Sequence, residues 1–339
     1  MGYNSATKKM KRLVLLIALM CVSMFGFAQT QIAVLQHNDT ITNTFYGTAA
    51  FVNAYNAAAD GDIITLSGGN FNSCNIKKAL TIRGAGARAG NGDNATFLIS
   101  NVSFEQTTST VYVEGVNFVD YCYLYNNSDV KFVKCIMKNF RVNNYTINCS
   151  LSNCLFEVFD MYPSQNSSVA VINCVLYSSL GIGNCRIINS YVSDAQSNYY
   201  SLNSTNTSFE NCILAKNHGA SNNNTVSNSN VFSHCVAINM PRLYENLAGG
   251  IGSNTHVSSM EEVFETFTGG GINYYEEYIL NEDFATSFPG NDGTEVGIHG
   301  GIMPFSLDPS YMIVKRCNVA GKSTIDGKLS VDIEIETEE

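Results

Sequence analysis

Short runs of alternating apolar and polar residues, broken by Asn, Ser and Gly, fill the chain from about residue 60 to 240. Thr110-Val111-Tyr112-Val113 and Ser168-Val169-Ala170-Val171-Ile172 show the period of two expected of half-buried strands. After many of these runs comes an Asn-like residue, then Cys, then aliphatic residues. The motif reads Lys134-Cys135-Ile136-Met137, Asn153-Cys154-Leu155-Phe156, Asn173-Cys174-Val175-Leu176, Asn189-Ser190-Tyr191-Val192, Asn211-Cys212-Ile213-Leu214 and His234-Cys235-Val236-Ala237, with a degenerate copy at Glu114-Gly115-Val116-Asn117-Phe118. Copies recur about every twenty residues, the period of a coil that adds one short strand to each of several parallel sheets per turn. Asn suits the corners because it tolerates left-handed backbone. Leucine-rich frames are absent, and a propeller blade would need about twice the period. The pattern therefore predicts an all-β, single-stranded right-handed parallel β-helix.

The same pattern divides the chain. Phe51, Val52, Tyr55 and Ala57 to Ala59 suit a short amphipathic helix ended by Asp60-Gly61-Asp62, an N-terminal helical cap over the first rung. The expected organisation is a signal peptide over 1–28, a lead-in over 29–50, the capped β-helix over 51–244, last rungs and an acidic C-terminal cap over 245–305, and a β appendage over 306–339. A short helix is expected from Met260 to Phe267, and strands from Tyr311 to Val319 and Leu329 to Ile335.

Three stretches resemble a known family. Ala59-Asp60-Gly61-Asp62-Ile63-Ile64-Thr65-Leu66-Ser67-Gly68-Gly69-Asn70-Phe71 looks like the first rung of pectin-lyase-like right-handed parallel β-helix proteins, and Leu80-Thr81-Ile82-Arg83-Gly84-Ala85-Gly86 like their second. Asp292-Gly293-Thr294-Glu295-Val296-Gly297-Ile298-His299-Gly300-Gly301 is similar to the closing motif of secreted β-helix proteins of Bacteroidetes-type bacteria. The resemblance covers roughly residues 45 to 305. It implies the fold; the superfamily includes lyases, hydrolases and adhesins, so it implies no single activity.

Charge and cysteine usage bear on compartment and partner. Lys8, Lys9, Lys11 and Arg12 precede an apolar run from Leu13 to Phe25, and Gly26-Phe27-Ala28 offers small residues for a cut after Ala28, so secretion to the periplasm, the cell surface or beyond is expected. Cys21 lacks the small residues that precede a lipidated Cys. Removing the leader deepens the formal charge from −10 to about −14, and a net-acidic chain without a basic patch is a poor partner for nucleic acid or anionic membrane. No later stretch is apolar enough for a transmembrane span. Residues 31–244 carry 11 basic and 12 acidic side chains, residues 245–339 carry 4 and 17. Cys135, Cys154, Cys174, Cys212 and Cys235 share one slot of the repeat and the cysteines form no CxxC or Cys/His cluster, which favours stacked buried thiols over a disulfide framework.

Polysaccharide lyases need a Lys or Arg base and usually Ca²⁺ held by stacked acids; hydrolases need two or three carboxylates about the scissile bond. Aligning rungs on the Cys slot makes Lys138/Glu157 and Arg141/Asp160 neighbours, with Tyr145 and Tyr162 nearby. These four charged residues are the weak catalytic candidates. Tyr145, Tyr162, Asp194, Lys216 and His218 are candidate ligand contacts. Read as structure alone, the charged pairs are cross-rung ion pairs worth about 0–1 kcal/mol each. No run of three acids that would hold Ca²⁺ is evident, and His218, His234, His256 and His299 share no ligand spacing, so neither cofactor nor metal is expected outside the lyase alternative. Asp292 reads as turn chemistry, and the Tyr199-Tyr200 and Tyr274-Tyr275 pairs as sugar-stacking candidates. The expected function is an exported noncatalytic protein that binds glycan or another cell-surface ligand along the solenoid face, with a polysaccharide lyase or glycoside hydrolase as the alternative.

Overall fold

A computed structural model describes residues 31–38, 40–88, 95–105, 109–125, 128–143, 147–162, 166–193, 204–215, 229–240, 253–267, 272–308, 313–319 and 331–336. The leader, Cys21 and the cut near Ala28 lie outside the described residues. The chain forms a parallel β-solenoid, as its twenty-residue period predicts. No described helix is long and apolar enough to cross a membrane.

Where a whole turn is described, the rung visits three faces. The first carries strands such as Ile63–Leu66, Val111–Glu114, Asp129–Val133, Asn148–Ser152 and Ser168–Ile172, stacked in parallel register. The longer strands Val116–Tyr125, Ile136–Asn143 and Leu155–Tyr162 then bend, so that their first residues build the second face and their last residues the third. Inward residues fill the coil. Phe104, Phe118, Phe132, Phe140, Phe156 and Phe159 pack with ring centroids 5.0–6.3 Å apart, mostly edge to face, as aromatic quadrupoles favour.

The repeated motif is the corner between the first and second faces. Lys134, Asn153, Asn173, Asn189, Asn211 and His234 all have left-handed backbone, with φ between 46° and 53°. The next residue turns inward and donates to the carbonyl two residues back: Cys154 Sγ to Ser152 O at 3.3 Å, Cys174 Sγ to Ile172 O at 3.2 Å, Cys212 Sγ to Glu210 O at 3.2 Å and Ser190 Oγ to Ile188 O at 2.7 Å. The slot therefore wants a small side chain with one donor, which is why Ser replaces Cys there without breaking the column. Cys74, Cys122, Cys135, Cys149, Cys154, Cys174, Cys185, Cys212 and Cys235 are free thiols, all buried except half-buried Cys74.

At the N-terminal end the helix Ala50–Ala57 lies where the sequence placed it, with Ala50, Phe51 and Ala54 buried. Its C-terminal carbonyls are gathered by Lys78, whose Nζ donates to Tyr55 O, Asn56 O and Ala58 O at 2.7, 3.2 and 2.7 Å. The lead-in folds as an antiparallel hairpin, β1 (Ile32–His37) and β2 (Thr40–Tyr46), and β1 pairs antiparallel with Ile63–Leu66. The helix thus covers the coil's interior, while the hairpin moves the free edge of the first sheet outward.

After the strand Thr255–Val257, residues 260–267 and 272–308 run back along the outside of the second face. The helix expected from Met260 to Phe267 is only a 3₁₀ turn, Met260–Glu262, because Phe264 instead pairs with Leu280 in an isolated bridge. This returning strap buries Val263, Phe264, Tyr278, Leu280, Phe284, Val296, Ile298 and Leu307 against outward-facing Ile136, Leu155, Val175, Tyr191, Ile213 and Val236. The corner asparagines hold it: Asn211 exchanges hydrogen bonds with Asn291, Asn173 Nδ2 donates to Ile298 O and Gly300 O, and Asn153 Nδ2 donates to Pro304 O. Gly297, at φ 82°, and Gly301, at φ 76°, let the strap lie close on Ile213 and Asn189. Strands Ile313–Val319 and Val331–Glu336 pair antiparallel beyond it.

Candidate functional site

Among the described residues, the strap covers the second face and not the third. Strand segments of the third face pair directly: Arg141 lies opposite Asp160 on one side and Tyr123 on the other, and Ser103 and Glu105 lie opposite Tyr123 and Tyr125. Alternation in Val116–Tyr125 sends Cys122 and Leu124 inward and leaves Tyr121, Tyr123 and Tyr125 on the outer surface. Their rings form one stack: Tyr121 and Tyr123 are 5.3 Å apart at 7°, Tyr123 and Tyr125 5.4 Å apart at 23°. Arg141 continues the row, its guanidinium carbon 5.0 Å from the Tyr121 ring centroid, and its Nε is 3.9 Å from Asp160 Oδ2.

The stack is bordered on the preceding rung by a second charged group. Lys77 Nζ lies 2.9 Å from Glu105 Oε2, and Ser103 Oγ donates to Glu105 Oε1 at 3.0 Å. The Lys77 hydrogen bond holds the Glu105 carboxyl below its ordinary range. Asp160 differs: burial raises its carboxyl and outweighs the opposing charge of Arg141, which at 3.9 Å makes no direct hydrogen bond. Glu157 is likewise raised by burial, with Lys138 opposing. Lys138 and Glu157 stand at the bend between the second and third faces, in register on adjacent rungs, with Lys138 exposed.

The structure therefore brings Lys138, Arg141, Glu157 and Asp160 to one surface. Tyr162 ends the Leu155–Tyr162 strand opposite Asn143, and its side chain lies outside the described residues. Tyr145, Asp194, Lys216, His218 and the Tyr199-Tyr200 pair also lie outside them. Sequence reasoning missed Tyr121, Tyr123 and Tyr125. Their signal was the alternation Tyr121-Cys122-Tyr123-Leu124-Tyr125, which places three rings on one face of a single rung.

Other polar features have local explanations. Asp292 Oδ1 accepts from Thr294 N and Oγ1 at 3.0 and 2.7 Å, the turn geometry its sequence implied. The His299 ring is bonded to Glu277 O, and that of His234 to Ser233 Oγ. Among the described residues no group of three or more His, Cys, Asp or Glu side chains gathers to hold a metal ion. A second left-handed corner, between the third and first faces, stacks Asn184 on Asn206, with the Asn206 amide donating to Asn184 Oδ1 at 2.8 Å. It lines a shallow groove with Ser167, Arg186, Ser208 and Ser229. No family model, curated protein or solved structure matches this chain.

Proposed function

We propose that this is an exported, noncatalytic carbohydrate-binding protein of the pectin-lyase-like β-helix class, cut near Ala28, whose ligand lies along the third face. The observation that carries this reading is the Tyr121–Tyr123–Tyr125 row bracketed by Arg141–Asp160 and Lys77–Glu105. Aromatic rings supply apolar area at small entropic cost, and the charged pairs beside them supply donors and acceptors for hydroxyl groups.

The charges on this surface leave no cation in surplus, and Asp120 beside the tyrosine row adds a further acid. Lys77 faces Glu105, Arg141 faces Asp160, and Lys138 stands in register with Glu157. A uronate or sulfated glycan would need cations in surplus, so neutral polysaccharide is the class that fits. The hydroxyl and amide groups of the Asn184–Asn206 groove suit the same chemistry.

The test follows retention of residues 29–339 on a panel of neutral and acidic polysaccharides, together with release of new chain ends. Neutral-glycan retention, weakened at least about tenfold by Tyr123→Ala and little changed between 50 and about 200 mM salt, is the expected result. The hydrolase or lyase alternative draws on one observation, that the Glu157 and Asp160 carboxyls are both raised by burial beside cations. Release of chain ends would replace the binding reading with it and make Lys138, Arg141, Glu157 and Asp160 the residues to mutate. Neither retention nor cleavage would refute both.

A further inference from the structure

The geometry of the tyrosine row narrows the glycan reading, on which this inference rests. Tyr121 and Tyr123 are parallel to within 7°, Tyr123 and Tyr125 to within 23°, with ring centroids 5.3 and 5.4 Å apart. Both faces of the Tyr123 ring are therefore occupied by its neighbours, and the Arg141 guanidinium lies over Tyr121. A sugar cannot stack on faces that the row has already used. What the surface offers is three half-buried ring edges, each tipped by a hydroxyl. Among the described residues none of those hydroxyls has a hydrogen-bond partner, and none is sealed from solvent. Burial raises the Tyr123 hydroxyl above its ordinary pKa, with Tyr125 adding to the effect and Arg141 opposing it. The group keeps its proton, so it both donates and accepts.

We propose that Tyr121, Tyr123 and Tyr125 form a hydroxyl comb that reads three consecutive units of an equatorially 1,4-linked neutral glycan, one phenol per sugar, with the chain lying along the rung and across the solenoid axis. The spacing selects the class. Nearly parallel rings hold their hydroxyls at about the centroid spacing. A flat 1,4-linked pyranose chain advances by about one tooth per sugar and presents hydroxyls along both of its edges. An extended peptide repeats about every 6.6 Å on one side, so it drifts about 2.5 Å out of step across the row. An axially linked glycan coils away from a straight row. Lys77–Glu105 on the preceding rung and Arg141–Asp160 on the following ones wall the comb on both sides, which keeps the chain on its rung. The ring edges still supply apolar contact, while the hydroxyls set the register.

Isothermal titration calorimetry of residues 29–339 with cello-, xylo- and malto-oligosaccharides of increasing length tests this, alongside Tyr123→Phe and Tyr123→Ala. Tyr123→Phe keeps the ring and its stacking and removes one tooth. Affinity for the cello or xylo series should climb to about three units and then level, and the malto series should bind about tenfold more weakly. Tyr123→Phe should lose about three- to tenfold, the effect of one net hydrogen bond. A Tyr123→Phe protein that binds like the parent, while Tyr123→Ala is weakened, means contact through ring surface alone and overturns the comb. Affinity that keeps climbing well past three units places the chain along the solenoid axis and overturns the orientation. Should Tyr123→Phe fail to fold, the length series and the malto comparison decide alone. No binding of any neutral oligosaccharide or polysaccharide removes the glycan reading itself, so the two failures are distinguishable.

Discussion

Asn173 joins a corner of the coil to the returning strap, and its removal can be worked through quantitatively. The residue is 2% exposed, with φ at 49°. Its amide donates two hydrogen bonds of 2.8 Å, to Ile298 O and Gly300 O. Two net hydrogen bonds contribute about 1–3 kcal/mol together. Substitution by Ala would add up to about 1 kcal/mol because Ala lacks the short polar side chain that eases left-handed backbone for Asn, confusing two effects. Asn173→Gly keeps the left-handed corner without strain, and since its backbone-entropy cost falls on global stability, local exchange beneath the strap reports the lost hydrogen bonds. Native-state hydrogen exchange reads it at Gly297 and Phe305, whose amides bond to Asn211 O and Ile298 O within the same clasp. Their exchange should accelerate about 5- to 150-fold, the equivalent of 1–3 kcal/mol, while amides of the first face stay protected. Asn173→Asp should exceed both, since it sets a carboxylate against two carbonyl oxygens. Unchanged exchange at Gly297 and Phe305 in Asn173→Gly would refute the idea that the corner side chains hold the strap.

Three further outcomes are expected. The Glu210 carboxyl is held low, first by its hydrogen bond with Arg186 and then by that from Asn291; a depressed folded value stabilises above the usual carboxylate range and the gain disappears as pH falls through the folded value. Acidification should therefore loosen the strap near Asn291, measured by amide exchange against pH, and Glu210→Gln should flatten that dependence. Burial pushes the thiols of Cys122, Cys135, Cys154 and Cys212 well up and that of Cys185 to about 12, so with Cys317 and half-buried Cys74 both replaced by Ser, native protein should react with a thiol reagent at neutral pH only as it unfolds. Lys78→Met strips three helix carbonyls of their donor and should open the helix–turn segment around Ala58 by about 1–2 kcal/mol, seen as faster limited proteolysis there.

The solenoid was legible in the sequence because every turn repeats the same local demand. A left-handed corner wants Asn, and the next site wants a small donor, so the pattern shows through even when Ser190 takes the place of Cys. The Arg141–Asp160 neighbourhood was legible for the same reason, the two rungs being equal in length. Between earlier rungs the counting fails. A register shift between Met137 and Asn139 places Arg141 opposite Tyr123, whereas counting from the Gly115 slot points to Tyr121. The strap was not legible, since its partners are Asn173 with Ile298 and Asn153 with Pro304, far apart in sequence and without periodicity. The tyrosine row escaped because it lies along one rung, whereas the comparison ran from rung to rung.

Solenoids of this kind ordinarily tolerate gain or loss of a whole turn, since each unit touches only its neighbours. The strap removes that freedom. Asn291 meets Asn211, Ile298 and Gly300 meet Asn173, and Pro304 meets Asn153, so a fixed length of chain is matched against a fixed number of corners. The segment works as a ruler. Excising or duplicating one unit between Asn153 and Asn211 would leave the strap a rung out of step, with its apolar side chains facing the wrong sockets. The strap reaches back past Asn153 as well, packing on Ile136 and bonding Arg88 through Tyr274 O, so no turn between Arg88 and Asn211 can be added or lost without breaking one of its contacts.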